Sequence, residues 1–138
     1  MHFILERINH LCEDYHVKTF YVFGSRASEV MELLEGARKS LSYGRSDLDV
    51  AVLVSYTLSI NEKVDITAQL EVIFNIPRVD LVILNDADPF VAANAIRGNR
   101  LFASNSYEAD EYELFVLRRA GDLAGFERER ISMVLRDP

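Results

Sequence analysis

The chain has 138 residues, 49% hydrophobic and 27% charged, which is ordinary globular usage and excludes long disorder, collagen-like repeats and a disulfide scaffold. Fifteen basic against twenty-two acidic side chains leave a net charge of -7, so direct binding of nucleic acid through a broad basic surface is not expected, although a local basic pocket for a nucleotide is compatible with it. The longest wholly apolar run, Val50 to Val54, is far short of the ~20 residues that span a bilayer, and no basic segment followed by an apolar one opens the chain. One cysteine, Cys12, fits a reducing compartment, and a cytoplasmic protein is expected.

In chain order, Ile4, Ile8, Leu11 and Tyr15 recur at steps of four and three and predict an amphipathic helix over about residues 2–15. Lys18 to Phe23 is aromatic and β-branched, stops at Gly24, and reads as a buried strand. Gly24-Ser25 is then a strand-to-helix turn, with a helix from Ser28 to about Lys39 and a polar loop over Leu41 to Arg45. Leu48 to Val54 is the second strand. Ser59 and Glu62 form a capping-box pattern at the start of a helix that carries Ile66, Leu70 and Ile73 and that Pro77 ends. Val79 to Leu84 is the third strand. Asp88 before Pro89 predicts a helix start and Gly98 its stop, Leu101 to Ala103 suggests a short edge strand, and a C-terminal helix follows from Tyr107, weakened by Gly121 and Gly125. The sequence thus predicts a single α/β (α+β) domain over residues 1–138, with its motif core at about 18–84 and a C-terminal helical segment at about 107–135.

Three aspartates interrupt this apolar pattern. Asp47 and Asp49 stand at the mouth of the second strand, two residues apart and therefore on one face, while Asp80 lies within the third. Adjacent carboxylates repel and are costly in a partly buried site without a cation, and hard oxygen donors favour Mg²⁺ or Mn²⁺. If the two strands are neighbours, Asp80 completes a three-carboxylate site able to hold two ions for phosphoryl-type displacement. Gly24 and Ser25 add free backbone N–H groups, a hydroxyl and the positive end of a helix, suited to phosphate oxygens, and Arg26 adds charge. The alternatives are a turn or cap for Asp47 and Asp49 and a solvated edge carboxylate for Asp80. Asp86 and Asp88 have the same spacing as the first pair, but the adjacent Pro89 explains them as turn and cap.

FGSRAS, SDLDVAVL and VDLVIL, taken together and in order, resemble the minimal nucleotidyltransferase (MNT) family of the polymerase-beta-like superfamily, and within it the MntA-type antitoxins that accompany HepT-type HEPN toxins. The resemblance covers about residues 4–104. It implies a mixed sheet flanked by helices and Mg²⁺-dependent transfer of AMP from ATP, in these antitoxins to a tyrosine of the toxin. It also implies phosphate binding by Gly24 and Ser25, metal ligation by Asp47 and Asp49, and Asp80 as third carboxylate. Two departures stand out. Asp47 follows Ser25 by 22 positions, about twice the separation the resemblance implies, and Ala27 is followed by Ser28 and Glu29 where the family has Arg-Gly. An insertion absorbed by helix and loop preserves the site; one that displaces the second strand breaks phosphate binding.

The remaining candidates have plainer readings. His10 and His16 fall on different sides of a helix, so neither they nor His2 suggest a metal site. Arg97, Arg100, Arg118, Arg119, Arg128 and Arg130 either steer an acidic ligand or form a solvated face, and Tyr107, Tyr112 and Phe115 either meet a partner or pack in the core. Two functions compete with toxin adenylylation: neutralisation of a toxin by binding alone, and nucleotidyl transfer to a small molecule such as an antibiotic.

Overall fold

The computed structural model describes residues 2–42 and 46–136, with side chains from 3 to 122 outside the 43–45 gap. Helix α1 (His2–Asp14) leads into β1 (Val17–Phe23), and a 3-10 turn at Gly24–Arg26 runs directly into α2 (Ala27–Glu35). Strand β2 (Leu48–Val54), α3 (Ile60–Phe74), β3 (Val79–Ile83), α4 (Pro89–Ile96), β4 (Asn99–Ala103) and α5 (Ser106–Arg136) complete the order.

Local chemistry sets most of the boundaries. The capping box is formed, with the Ser59 hydroxyl accepting from the Glu62 N–H at 3.1 Å and the Glu62 carboxylate accepting from the Ser59 N–H at 2.9 Å. Asp88 caps α4 by accepting from the Phe90 N–H at 2.8 Å, which is the structural role expected for it. Two helices stop earlier than the sequence suggests: α2 ends at Glu35 because Gly36 turns left-handed at φ 81°, and α3 ends at Phe74 because Asn75 does the same at φ 53°, two residues ahead of Pro77. Leu84 belongs to a 3-10 turn rather than to β3. Helix α5 continues through Gly121, beside which a Cβ would meet open space. The side chains of Leu123, Phe126, Arg128 and Arg130 lie outside the described residues, as do positions 43–45 of the expected loop.

The sheet is mixed, ordered β3-β2-β1-β4, with β1 antiparallel to both β2 and β4 and β2 parallel to β3. Period-two alternation divides its side chains between two cores. Phe20, Val22, Leu48, Val50 and Val52 face α1, α2 and α3, whose Ile8, Val30, Ile66 and Leu70 are buried against them. Tyr21, Phe23 and Ala51 face the other way, against Ala92, Ala95 and Ile96 of α4 and Val116 and Ala120 of α5. The Tyr21 hydroxyl donates to Glu113 at 2.7 Å, and Arg100 of β4 donates to both Glu113 (2.8 Å) and Asp110 (2.9 Å), so α5 is tied to the sheet through a polar network as well as apolar packing. Among the described residues no helix is long and apolar enough to cross a membrane.

Candidate active site

The sheet order makes β2 and β3 neighbours, and their parallel register sets Asp49 directly beside Asp80. On the other side of β2, Asp49 pairs with Phe23, the last residue of β1. Alternation puts Asp49 on the face of the sheet that carries Phe23 and Ala51, at the end where β1 runs out and the Gly24–Arg26 turn begins. Between Ser25 and Asp47 the chain forms α2, and β2 beyond it stands in register with β1.

Gly24 has φ +77°, and a Cβ on it would lie 2.3 Å from Asp49 Oδ2. The glycine is therefore required twice, by its left-handed backbone and by the carboxylate lying against it. The space a side chain would take at Gly24 is filled by the carboxylate of Asp49. Ser25 follows, its hydroxyl 3.0 Å from that of Ser46, which immediately precedes Asp47.

The electrostatics are those of crowded negative charge. Burial raises the Asp49 carboxyl above the ordinary aspartate range, and the charges of Asp80 and then Asp47 raise it further. Asp47 is half-buried and has a cationic neighbour, the Arg78 guanidinium at 3.6 Å, while Arg78 itself is strongly exposed. Among the described residues no three His, Cys, Asp or Glu side chains are gathered closely enough to cage an ion as they stand. Asp49 and Asp80 stand side by side, while Asp47 leans on Arg78. The donor set nonetheless suits a hard divalent cation: it is all oxygen, and burial together with the charges of Asp80 and Asp47 makes the ionised Asp49 carboxylate costly without one.

Arg26, expected beside the phosphates, sits elsewhere. It is 4% exposed, and its guanidinium donates to the Ser46 carbonyl at 3.0 Å and to the Ser42 carbonyl, and approaches Glu29 at 3.5 Å. Gly24, Ser25, Asp47, Asp49 and Asp80 are thus brought to one end of the sheet, and Arg26 is turned inward behind them. Sequence reasoning missed Arg78, whose signal was its place two residues before Asp80, and Ser46, adjacent to Asp47. Of the histidines, His10 is exposed and His16 stacks edge-on against Tyr56 at 5.5 Å, while the side chain of His2 lies outside the described residues. A cavity of about 230 Å³ bounded by Leu53, Leu84, Ala92 and Tyr112 lies at the far end of β2 from the carboxylates.

A mixed sheet that displays paired aspartates on one strand, a third on its parallel neighbour and a Gly-Ser turn at their side defines a nucleotidyltransferase domain. The chain belongs to the polymerase beta nucleotidyltransferase family, whose model matches residues 6–108. In structure it resembles a chain of the MntA–HepT toxin–antitoxin complex (TM-score 0.67, 18% identity, 98% of this chain and 99% of that one). It is similar also to a chain of a toxin–antitoxin complex with AMP-PNP (0.68, 19%, 95% and 98%). A third likeness is to a chain from the tri-AMPylated HEPN toxin of Shewanella oneidensis in complex with its MNT antitoxin (0.67, 18%, 97% and 98%). No curated protein matches the chain in sequence.

Proposed function

We propose that this nucleotidyltransferase is an antitoxin that transfers AMP from ATP to a tyrosine hydroxyl of a cognate HEPN-type toxin, with Mg²⁺ or Mn²⁺ held by Asp47, Asp49 and Asp80. The observation that carries the reading is the β2/β3 register, which pairs Asp49 with Asp80 next to the Gly24-Ser25 turn. A bound divalent cation supplies charge neutralisation for the triphosphate. The chain's own groups do the rest. The Ser25 hydroxyl and the N–H groups of the Gly24–Arg26 turn hold phosphate oxygens, and Asp80, exposed on the edge strand, accepts the proton of the acceptor hydroxyl. The acceptor oxygen then forms its bond to the α-phosphorus as the bond from that phosphorus to the bridging oxygen breaks, and pyrophosphate leaves.

A protein acceptor agrees with the surface. Phe90 and Val91 of α4 and Tyr107, Leu114, Phe115 and Leu117 of α5 are all exposed, Tyr107 at 71% and Phe115 at 57%. Tyr112 packs against the inner core instead. This apolar face also supports the second reading, neutralisation by binding alone. The two separate when the protein is incubated with α-labelled ATP, Mg²⁺ and a candidate HEPN-type partner protein. Label on the partner supports transfer; a stable complex that carries no label supports binding alone.

A further inference from the structure

Arg26 is the one charged residue among the described residues that is buried. A guanidinium removed from water is costly unless its donors are met, so its partners indicate what it is for. They lie sixteen and twenty residues along the chain: one terminal nitrogen donates to the Ser46 carbonyl at 3.0 Å, the other to the Ser42 carbonyl. Glu29, one turn further along α2, reinforces the same grip. Its carboxylate accepts from the Ser42 N–H and hydroxyl, each at 2.9 Å, and it stands 3.5 Å from Arg26 and 3.8 Å from Arg38. Hydrogen bonds from the Ser42 N–H and hydroxyl hold the Glu29 carboxyl below its usual range, with the Arg26 charge adding to them.

Ser42 and Ser46, which flank positions 43–45, are therefore both fastened to the start of α2, and the segment from Ser46 to the first residues of β2 follows directly from that fastening. The Ser46 hydroxyl meets Ser25 at 3.0 Å, Asp47 comes next, and the Leu48 N–H begins the β2/β3 pairing by donating to the Arg78 carbonyl at 3.1 Å. We propose that Arg26 is a positioning residue: through the Ser42 and Ser46 carbonyls, with Glu29 as its counter-ion, it sets Asp47 relative to Asp49 and Ser25. The proposal rests on the nucleotidyltransferase reading only for what Asp47 then binds. A planar fork that reaches two carbonyls at once is the reason for arginine here; a lysine ammonium is a point charge and does not reproduce it.

The test uses Arg26→Gln, Arg26→Lys and Glu29→Gln in the full chain, alone and combined with Asp47→Asn. Two readouts are taken: amide hydrogen exchange over residues 42–48, and affinity for a non-hydrolysable ATP analogue in saturating Mn²⁺. In Arg26→Gln, exchange at 46–48 should speed at least tenfold while β1 and α3 stay protected, and analogue affinity should fall about tenfold. In the Asp47→Asn background the same change should cost no further affinity, because it acts through that carboxylate. Arg26→Lys should restore less than half of either loss. If Arg26→Gln does not fold, Glu29→Gln, at the rim of the cluster, should show the same pattern at about threefold. Unchanged exchange at 46–48, or losses additive with Asp47→Asn, overturns the positioning role. A wild-type protein that binds no analogue overturns the nucleotidyltransferase reading instead, and the exchange readout then decides the clamp by itself.

Discussion

Gly24→Ala separates the backbone of the active-site turn from its carboxylate. The left-handed φ of +77° costs an alanine roughly 1–2 kcal/mol, which in a chain of this size lowers the melting temperature by roughly 3–8 °C. In addition, the new Cβ arrives 2.3 Å from Asp49 Oδ2 and 3.2 Å from its carboxyl carbon. To recover van der Waals separation the carboxylate must retreat by about 1 Å, more than the ~0.5 Å within which a functional constellation has to be held. Gly36→Ala is the matched control, since Gly36 has φ +81° at the end of α2 and carries the same backbone cost without a part in the carboxylate cluster. Thermal melts of both variants, with binding of a non-hydrolysable ATP analogue in Mn²⁺, read the difference. Both should lose similar stability, and Gly24→Ala alone should lose roughly 10- to 100-fold in analogue affinity. Wild-type affinity in Gly24→Ala would refute the claim that Asp49 lies against this glycine as a working part of the site.

Other substitutions probe charge and packing. Asp49→Asn should abolish AMP transfer yet raise metal-free stability by about 1 kcal/mol, the repulsion of two charges at strand spacing in a water-like dielectric. The raised Asp49 carboxyl penalises the folded state increasingly as pH climbs through the carboxylate range, so the advantage of Asn should be full at pH 7 and gone below about pH 4, as melts across pH will show. Tyr21→Phe removes the donor to Glu113 at 2.7 Å while Arg100 still satisfies that carboxylate, and should cost about 1 kcal/mol by urea titration. Gly121→Ala, with open space beside an ordinary helical backbone, should stabilise by about 1 kcal/mol in the same assay.

Much of the fold was legible because its strands are short apolar runs bounded by Gly, Pro and polar residues. β2 falls where its pattern placed it, and the capping box and the Asp88 cap are local chemistry within four residues. The facing of Asp49 and Asp80 followed from the condition that their strands be neighbours, which the topology meets. What the sequence concealed is non-local. The partners of Arg26 lie across α2, so neighbouring residues gave no sign that it would be buried, and proximity to Gly24-Ser25 suggested a phosphate contact instead. The contact of Gly24 with Asp49 likewise depends on how β1 ends against β2. Helix α2 was overextended because apolar spacing continued to Ala37, although Gly36 had already turned the chain.

The central claim is that the three aspartates modify a partner protein chemically. Intact-mass spectrometry of a candidate HEPN-type toxin, purified after co-expression with either the wild-type chain or Asp49→Asn, tests it most directly. The account predicts a toxin heavier by a whole number of AMP groups with the wild type and an unmodified toxin with the variant. A toxin silenced by the wild type at its unmodified mass would contradict it and leave occlusion by the α4/α5 face as the mode of neutralisation.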